Sequence, residues 1–241
     1  MHKKKYDIVI IGGGAMGLAT AAKLANKPKK VLVLEQFNFI NDNGSSAGMS
    51  RQFRVQYSQD YMAQMAVDSE AYWADLQKHT DKELIGPVGS LWFGDPSLDS
   101  QEGGISAAER TMDQLNIPYE KLADAKAIED RFPFKNIPKD YRGFFQKDGG
   151  IININATQQV LYDIANASSN VELAAYAKVT NIDSQKSGRI VLTVEKDMAT
   201  VEITTKKIIV TSGAYTNDVL KHLGLYINLD IWEMSLSLIH I

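Results

Sequence analysis

The chain has 241 residues, 44% hydrophobic and 23% charged, with a formal net charge of −3. That is globular composition, long enough for one or two domains with a real core, and no basic stripe points to nucleic acid. Cysteine is absent, which excludes disulfides, thiolate metal sites and cysteine nucleophiles. The four histidines (His2, His79, His222, His240) are scattered without ligand spacing, so no metal site is expected.

The basic start Lys3–Lys5 leads into Asp7–Ile11, a β-branched run suited to a strand buried on both faces of a parallel sheet. This apolar run is too short for a signal peptide and ends in glycines. No stretch approaches the roughly 18 apolar residues that span a membrane. A cytoplasmic protein is expected. A glycine loop follows at Gly12–Gly17, then an alanine-rich helix over Leu18–Asn26, closed by Pro28, and a second buried strand at Val31–Leu34. Together they make one β-α-β unit of about 30 residues.

Asn41 to Arg51 reads as a polar loop. A helix over Gln59–Lys78 places Met62, Met65, Ala66, Ser69, Trp73 and Leu76 on one stripe, read as core. An inserted α+β region follows: a strand at Ser90–Phe93, helices at Ile105–Leu115 and Ala123–Arg131, and strands at Arg142–Gln146 and Ile151–Ile154 around Asp148-Gly149-Gly150. The chain then returns to a helix at Thr157–Ala165 and strands at Val171–Ala174 and Ala177–Ile182. A hairpin (Ile190–Glu195 with Thr200–Thr204), a last apolar strand at Lys207–Thr211 and a helix at Thr216–Leu223 complete it. There are no internal repeats.

Gly12-Gly13-Gly14-Ala15-Met16-Gly17 matches G-x-G-x-x-G. Gly12 permits the tight turn, Gly14 lets backbone approach a pyrophosphate, and Gly17 lets the helix pack on the sheet. The pyrophosphate would sit on N–H groups at the helix N-terminus, around Ala15 and Met16. Glu35 ends the next strand about 20 residues on, where a carboxylate accepts ribose hydroxyls and repels a 2′-phosphate. NADP is thereby disfavoured. The loop alone leaves FAD and NAD open. Two features favour FAD: the long polar loop directly after Glu35, and the return of Ile208–Ala214 to the same sheet after an insertion, a habit of glutathione-reductase-like flavoproteins.

The segment Gly44-Ser45-Ser46-Ala47-Gly48-Met49-Ser50-Arg51-Gln52-Phe53-Arg54-Val55-Gln56-Tyr57 resembles the flavin-contacting loop of monomeric sarcosine oxidases and N-methyltryptophan oxidases, in the D-amino-acid-oxidase-like group. The resemblance continues through Gly89–Gly94, Gly149–Ile152 and Thr211–Ala214, so it covers nearly the whole chain. It implies an α/β FAD/NAD(P)-binding Rossmann-like domain of glutathione-reductase type with an interleaved, truncated substrate domain. The expected division is 1–84 with 150–221 for FAD and 85–149 with 222–241 for substrate.

The resemblance also implies roles. Ser45 and Ser46 lie near the flavin and pyrophosphate. Arg51 sits against the isoalloxazine ring, where a fixed cation stabilises negative charge, and Arg54 grips the substrate carboxylate. Val179 holds the adenine through its backbone. Ser212, Gly213 and Ala214 line the cofactor, and Gln36 and Gln52 join the cofactor contacts. Without the resemblance, Arg51 and Arg54 read equally as salt-bridge or surface arginines. Two positions depart from the pattern: Ala47 replaces a histidine and Met49 an aspartate. A primary or N-methyl α-amino acid with a larger side chain is therefore as good a candidate as sarcosine.

The resembled proteins continue past this chain's end with further substrate-domain strands, a lysine for oxygen activation and a late glycine loop. The apolar end Leu236–Ile241 reads as a strand cut short, so a truncated chain is expected. The expected activity is FAD-dependent oxidation of an amino acid or N-methyl amino acid, with oxygen as acceptor. The alternatives are a hydroxy-acid dehydrogenase on the same fold and a non-catalytic dinucleotide-binding fragment. Oligomeric state is open.

Overall fold

A computed structural model describes residues 4–98, 103–185 and 188–231. The expected terminal strand at Leu236–Ile241 lies outside the described residues. The chain forms two compact units: unit 1, residues 1–48 and 158–241, and unit 2, residues 49–157. The segment 49–84 thus packs with the insertion.

Unit 1 begins with β1 (Lys4–Lys5), β2 (Ile8–Ile11), α1 (Ala15–Leu24) and β3 (Val31–Leu34). Unit 2 contains β4 (Ser50–Phe53), α2 (Asp60–Gln77), β5 (Ile85–Gly86), β6 (Ser90–Gly94), α3 (Ile105–Gln114), β7 (Glu120–Leu122), α4 (Ala125–Arg131), β8 (Arg142–Gln146) and β9 (Gly150–Asn153). Helix α5 (Ile154–Asn166) leads back to unit 1. There follow β10 (Val171–Ala174), β11 (Ala177–Ser184), β12 (Ile190–Lys196), β13 (Ala199–Thr205), β14 (Lys207–Val210) and α6 (Thr216–Leu220), the last flanked by short 3₁₀ turns.

Unit 1 is built on a parallel sheet in the order β10-β3-β2-β14. Its central strands are apolar throughout because both faces are covered. Val9, Ile11, Leu32 and Leu34 pack with Leu192, Val194 and Ile203 of the second sheet. Ile10, Val31 and Val33 face the other way, onto Ala21 of α1, Ala25 just after it and Ala165 of α5. Successive strand residues point to opposite faces, so burial on both demands an unbroken apolar run. The second sheet is the antiparallel meander β11-β12-β13 with β1 added parallel at its edge.

Unit 2 holds two three-stranded antiparallel sheets, β4-β9-β5 and β6-β8-β7. Ile105, Ala108 and Met112 of α3 pack on Phe144 of β8. The core reading of α2 needs correction. Only Ala63 of this helix is buried, Met65 is 66% exposed, and Met62, Ala66, Ser69, Trp73 and Leu76 are half-buried. Helical spacing alone identifies a face, not the depth to which it sinks. No helix among the described residues is long and apolar enough to cross a membrane.

Candidate functional site

The glycine loop joins β2 to α1 at the carboxyl end of the parallel sheet. Gly12 has φ +106°, and a Cβ there would lie 2.6 Å from the Thr211 carbonyl oxygen on the neighbouring segment. A Cβ on Gly17 would collide with the Gly12 carbonyl oxygen, so α1 can lie this close to the loop only with glycine there. The N-cap residue of α1, Gly14, supplies no side-chain cap. The cap comes from afar: Ser46 Oγ accepts the Ala15 N–H at 3.0 Å. Ser46 is itself held by Gln158 of α5, whose Nε2 donates to the Ser46 carbonyl at 2.9 Å.

Glu35 is buried at the end of β3, and its carboxylate organises the loop. Oε2 accepts the Gly13 N–H at 2.7 Å and Oε1 accepts the Phe37 N–H at 2.9 Å. A carboxylate offers about four lone-pair positions, so acceptor capacity remains for hydroxyl groups. On β11 the register slips between Val179 and Asn181, a bulge at Thr180.

These elements enclose a cavity of about 790 Å³ within unit 1. That lies in the range of cofactor pockets, about 300–1,000 Å³. Its wall brings together Gly12, Gly14, Ala15, Met16, Glu35, Gln36, Ser45, Ser46, Val179, Ser212, Gly213 and Ala214. Gly17 is not part of that wall; it stands behind the loop. Ser212 Oγ is buried and has no hydrogen-bond partner among the described residues. A buried hydroxyl in a cofactor cavity is satisfied when a polar ligand arrives. The spare acceptor capacity of Glu35, this hydroxyl and the cavity's size all fit an ADP-containing cofactor.

Arg51, Gln52 and Arg54 belong to unit 2, on and just after β4. Arg51 Nη1 donates to the Ser50 carbonyl at 2.6 Å. The Arg54 guanidinium lies 4.8 Å from the Tyr57 ring centroid and 5.6 Å from that of Trp92. Stacking on aromatic faces contributes roughly 0.5–2 kcal/mol. Gln52 Nε2 donates to Ser90 Oγ at 2.7 Å. Met49 is exposed, and Ala47 closes a turn by donating its N–H to the Gly44 carbonyl at 2.9 Å.

Sequence reasoning missed Gln158, Phe39 and Ser90. Phe39 fills the space where a Gly13 side chain would stand, so a residue there would have to displace that ring. None of the three carries a local sequence signal, because each acts across a long chain separation.

Comparison with known proteins follows the same lines. A monomeric sarcosine oxidase of Bacillus sp. is 25% identical over 93% of this chain and 56% of its own length. A Dictyostelium discoideum protein named as a bifunctional amine oxidase is 32% identical over 98% of this chain and 22% of its own. Among solved structures, the open form of NikD, an amino acid oxidase essential for nikkomycin biosynthesis, superposes with a TM-score of 0.82. It is 37% identical, over 92% of this chain and 55% of that one. An FAD-bound L-α-glycerophosphate oxidase of Mycoplasma pneumoniae shares the fold, with a TM-score of 0.73 at 17% identity over 90% of this chain and 56% of that one. The chain spans about half the length of most curated relatives it matches. The model of the FAD dependent oxidoreductase family matches residues 7–233, and this chain therefore belongs to that family, with FAD as its cofactor.

Proposed function

We propose that the protein oxidises the C–N bond of an amino acid or N-methyl amino acid, with oxygen as the final acceptor. Unit 1 is assigned most of the cofactor and unit 2 the substrate, with Arg51 and Gln52 as unit 2's cofactor contacts. The observation that carries this reading is Arg54, a guanidinium stacked on Tyr57 and Trp92 within a segment that, apart from Ala47 and Met49, resembles a flavin-contacting loop. The names of the relatives, sarcosine oxidase and amino acid oxidase, support the same substrate class.

In unit 1, Glu35 would hold ribose hydroxyls, the α1 N-terminus and Ser46 the pyrophosphate, the backbone at Val179 the adenine, and Ser212–Ala214 the remaining length of FAD. When bound, FAD supplies the hydride acceptor and the route by which electrons reach oxygen, yielding hydrogen peroxide. Arg54 receives the substrate carboxylate as a bidentate partner and so fixes the α-carbon. Arg51 is the cation assigned to the flavin ring, where it favours the electron-rich form; Gln52 beside it is a further cofactor contact. The amine, as free base, gives up its α-hydrogen as hydride, and the resulting imine hydrolyses to ammonia or an amine plus a carbonyl compound.

An anaerobic absorbance spectrum with an amine panel tests the reading. Bleaching of the flavin band by primary or N-methyl amino acids is the expected result. Bleaching by hydroxy acids alone overturns the substrate class, and a colourless protein that takes up no FAD overturns the cofactor assignment.

A further inference from the structure

We propose that Ser90 is the positioning residue for Arg54, and through it sets the protein's affinity for carboxylates. This rests on the reading of Arg54 as the carboxylate contact and adds the device that holds it. Ser90 is 3% exposed, at the start of β6. Its Oγ accepts Gln52 Nε2 at 2.7 Å and Gln56 Nε2 at 2.6 Å. A hydroxyl has two acceptor positions, so both are taken. The two glutamines stand two residues before and two residues after Arg54. Ser90 therefore holds a side chain on each side of that arginine.

Trp92 lies two residues along the same strand, hence on the same face as Ser90. It supports the Arg54 guanidinium at 5.6 Å. One face of β6 thus holds the side chains two residues to either side of the arginine and, at Trp92, the arginine's head. Ser90 has little freedom itself. The Gly89 N–H donates to the Gly149 carbonyl at 2.9 Å, and a Cβ on Gly149 would lie 2.5 Å from Ser90 Cβ. Gln56 is 1% exposed and equally fixed. An arginine stem loses rotamer freedom when its head is captured. Holding the head on Trp92 and the flanking glutamines on Ser90 beforehand removes part of the loss from the binding step.

The test is carried out on the intact protein labelled with ¹⁵N-arginine. The Arg54 Nε–H signal is assigned by its disappearance in Arg54→Lys. In Ser90→Ala this signal is expected to shift and broaden, while that of Arg142, paired with Glu109 in the same unit, stays in place. Acetate, used as a plain carboxylate probe and titrated against the Arg54 signal, is expected to bind about fivefold to tenfold more weakly, the cost of reordering one freed side chain. Gln52→Leu and Gln56→Leu each remove one tie and are expected to give smaller shifts of the same signal. They keep the proposal testable if Ser90→Ala fails to fold. An Arg54 signal unmoved in folded Ser90→Ala, or unmoved in both glutamine variants, overturns the proposal. If Ser90→Ala moves the signal but acetate moves nothing in the unsubstituted protein, positioning is supported and the carboxylate role of Arg54 fails.

Discussion

The two units build their candidate sites from different parts of the chain. In unit 1 the parallel sheet is sealed on both faces, and at the carboxyl-end cavity Glu35, Ser46 and Gln158 engage backbone groups of the glycine loop and its neighbour. In unit 2 the sheets are small and antiparallel, and the candidate site is made of side chains: Arg54 on two aromatic rings, with Gln52 and Gln56 tied to Ser90. A backbone site recognises what all members of a family share, a phosphate or a ribose. A side-chain site can be retuned for a new substrate by single substitutions while the cofactor stays bound. Substitutions in the two units should therefore fail in different ways.

The largest effect is expected at Gly17→Val. Any side chain there meets the Gly12 carbonyl oxygen, so α1 must move off the loop. Loss of measurable FAD binding by flavin fluorescence titration is expected, with unit 1 destabilised. Next is Arg54→Ala. Hydrogen bonds to charged groups contribute about 1.5–3 kcal/mol, so KM for carboxylate substrates should rise roughly 10- to 100-fold while FAD affinity holds. Glu35→Gln comes third. It replaces one carboxylate oxygen by a donor facing either the Gly13 or the Phe37 N–H. FAD affinity should fall by about 1–2 kcal/mol, read by the same titration, with the substrate dependence unchanged.

The smallest effect concerns pH. Burial raises the Tyr6 hydroxyl's pKa, and its hydrogen bond to Glu172 raises it further. For Glu172 burial pushes upward, but its bonds with Lys4 and Tyr6 prevail and hold it below the usual carboxylate range. A raised pKa stabilises the fold below the ordinary tyrosine value, and that contribution is lost as pH rises past about 10. A lowered pKa stabilises above the ordinary glutamate value, and that contribution is lost as pH falls below about 4.3. Thermal melts of Glu172→Gln against the unsubstituted protein should show a smaller dependence on pH at both ends.

How much of this was legible in sequence follows from where the causes lie. The strands β2 and β3 were plain because burial on both faces leaves no polar residue to blur them. Glu35 was plain because the distance from glycine loop to acidic partner is fixed by one β-α-β unit. By contrast, β4 hid inside a polar run, since Arg51 and Gln52 of this strand are polar. The turn between β12 and β13 was expected over Lys196–Ala199 and is tighter. Asp197 and Met198 alone make it, both with positive φ, where asparagine and glycine would have announced the geometry. The cap of α1 was illegible because its acceptor, Ser46, comes from a distant loop and is placed by Gln158 from further still.

The most direct test of the division between the two units is an anaerobic spectral titration of FAD-loaded Arg54→Ala with an N-methyl amino acid, beside the unsubstituted protein. The account predicts a protein that remains yellow, with the flavin band bleaching only at roughly 10- to 100-fold higher substrate concentration. A variant that releases its flavin, or that bleaches at the same concentration as the unsubstituted protein, would contradict it.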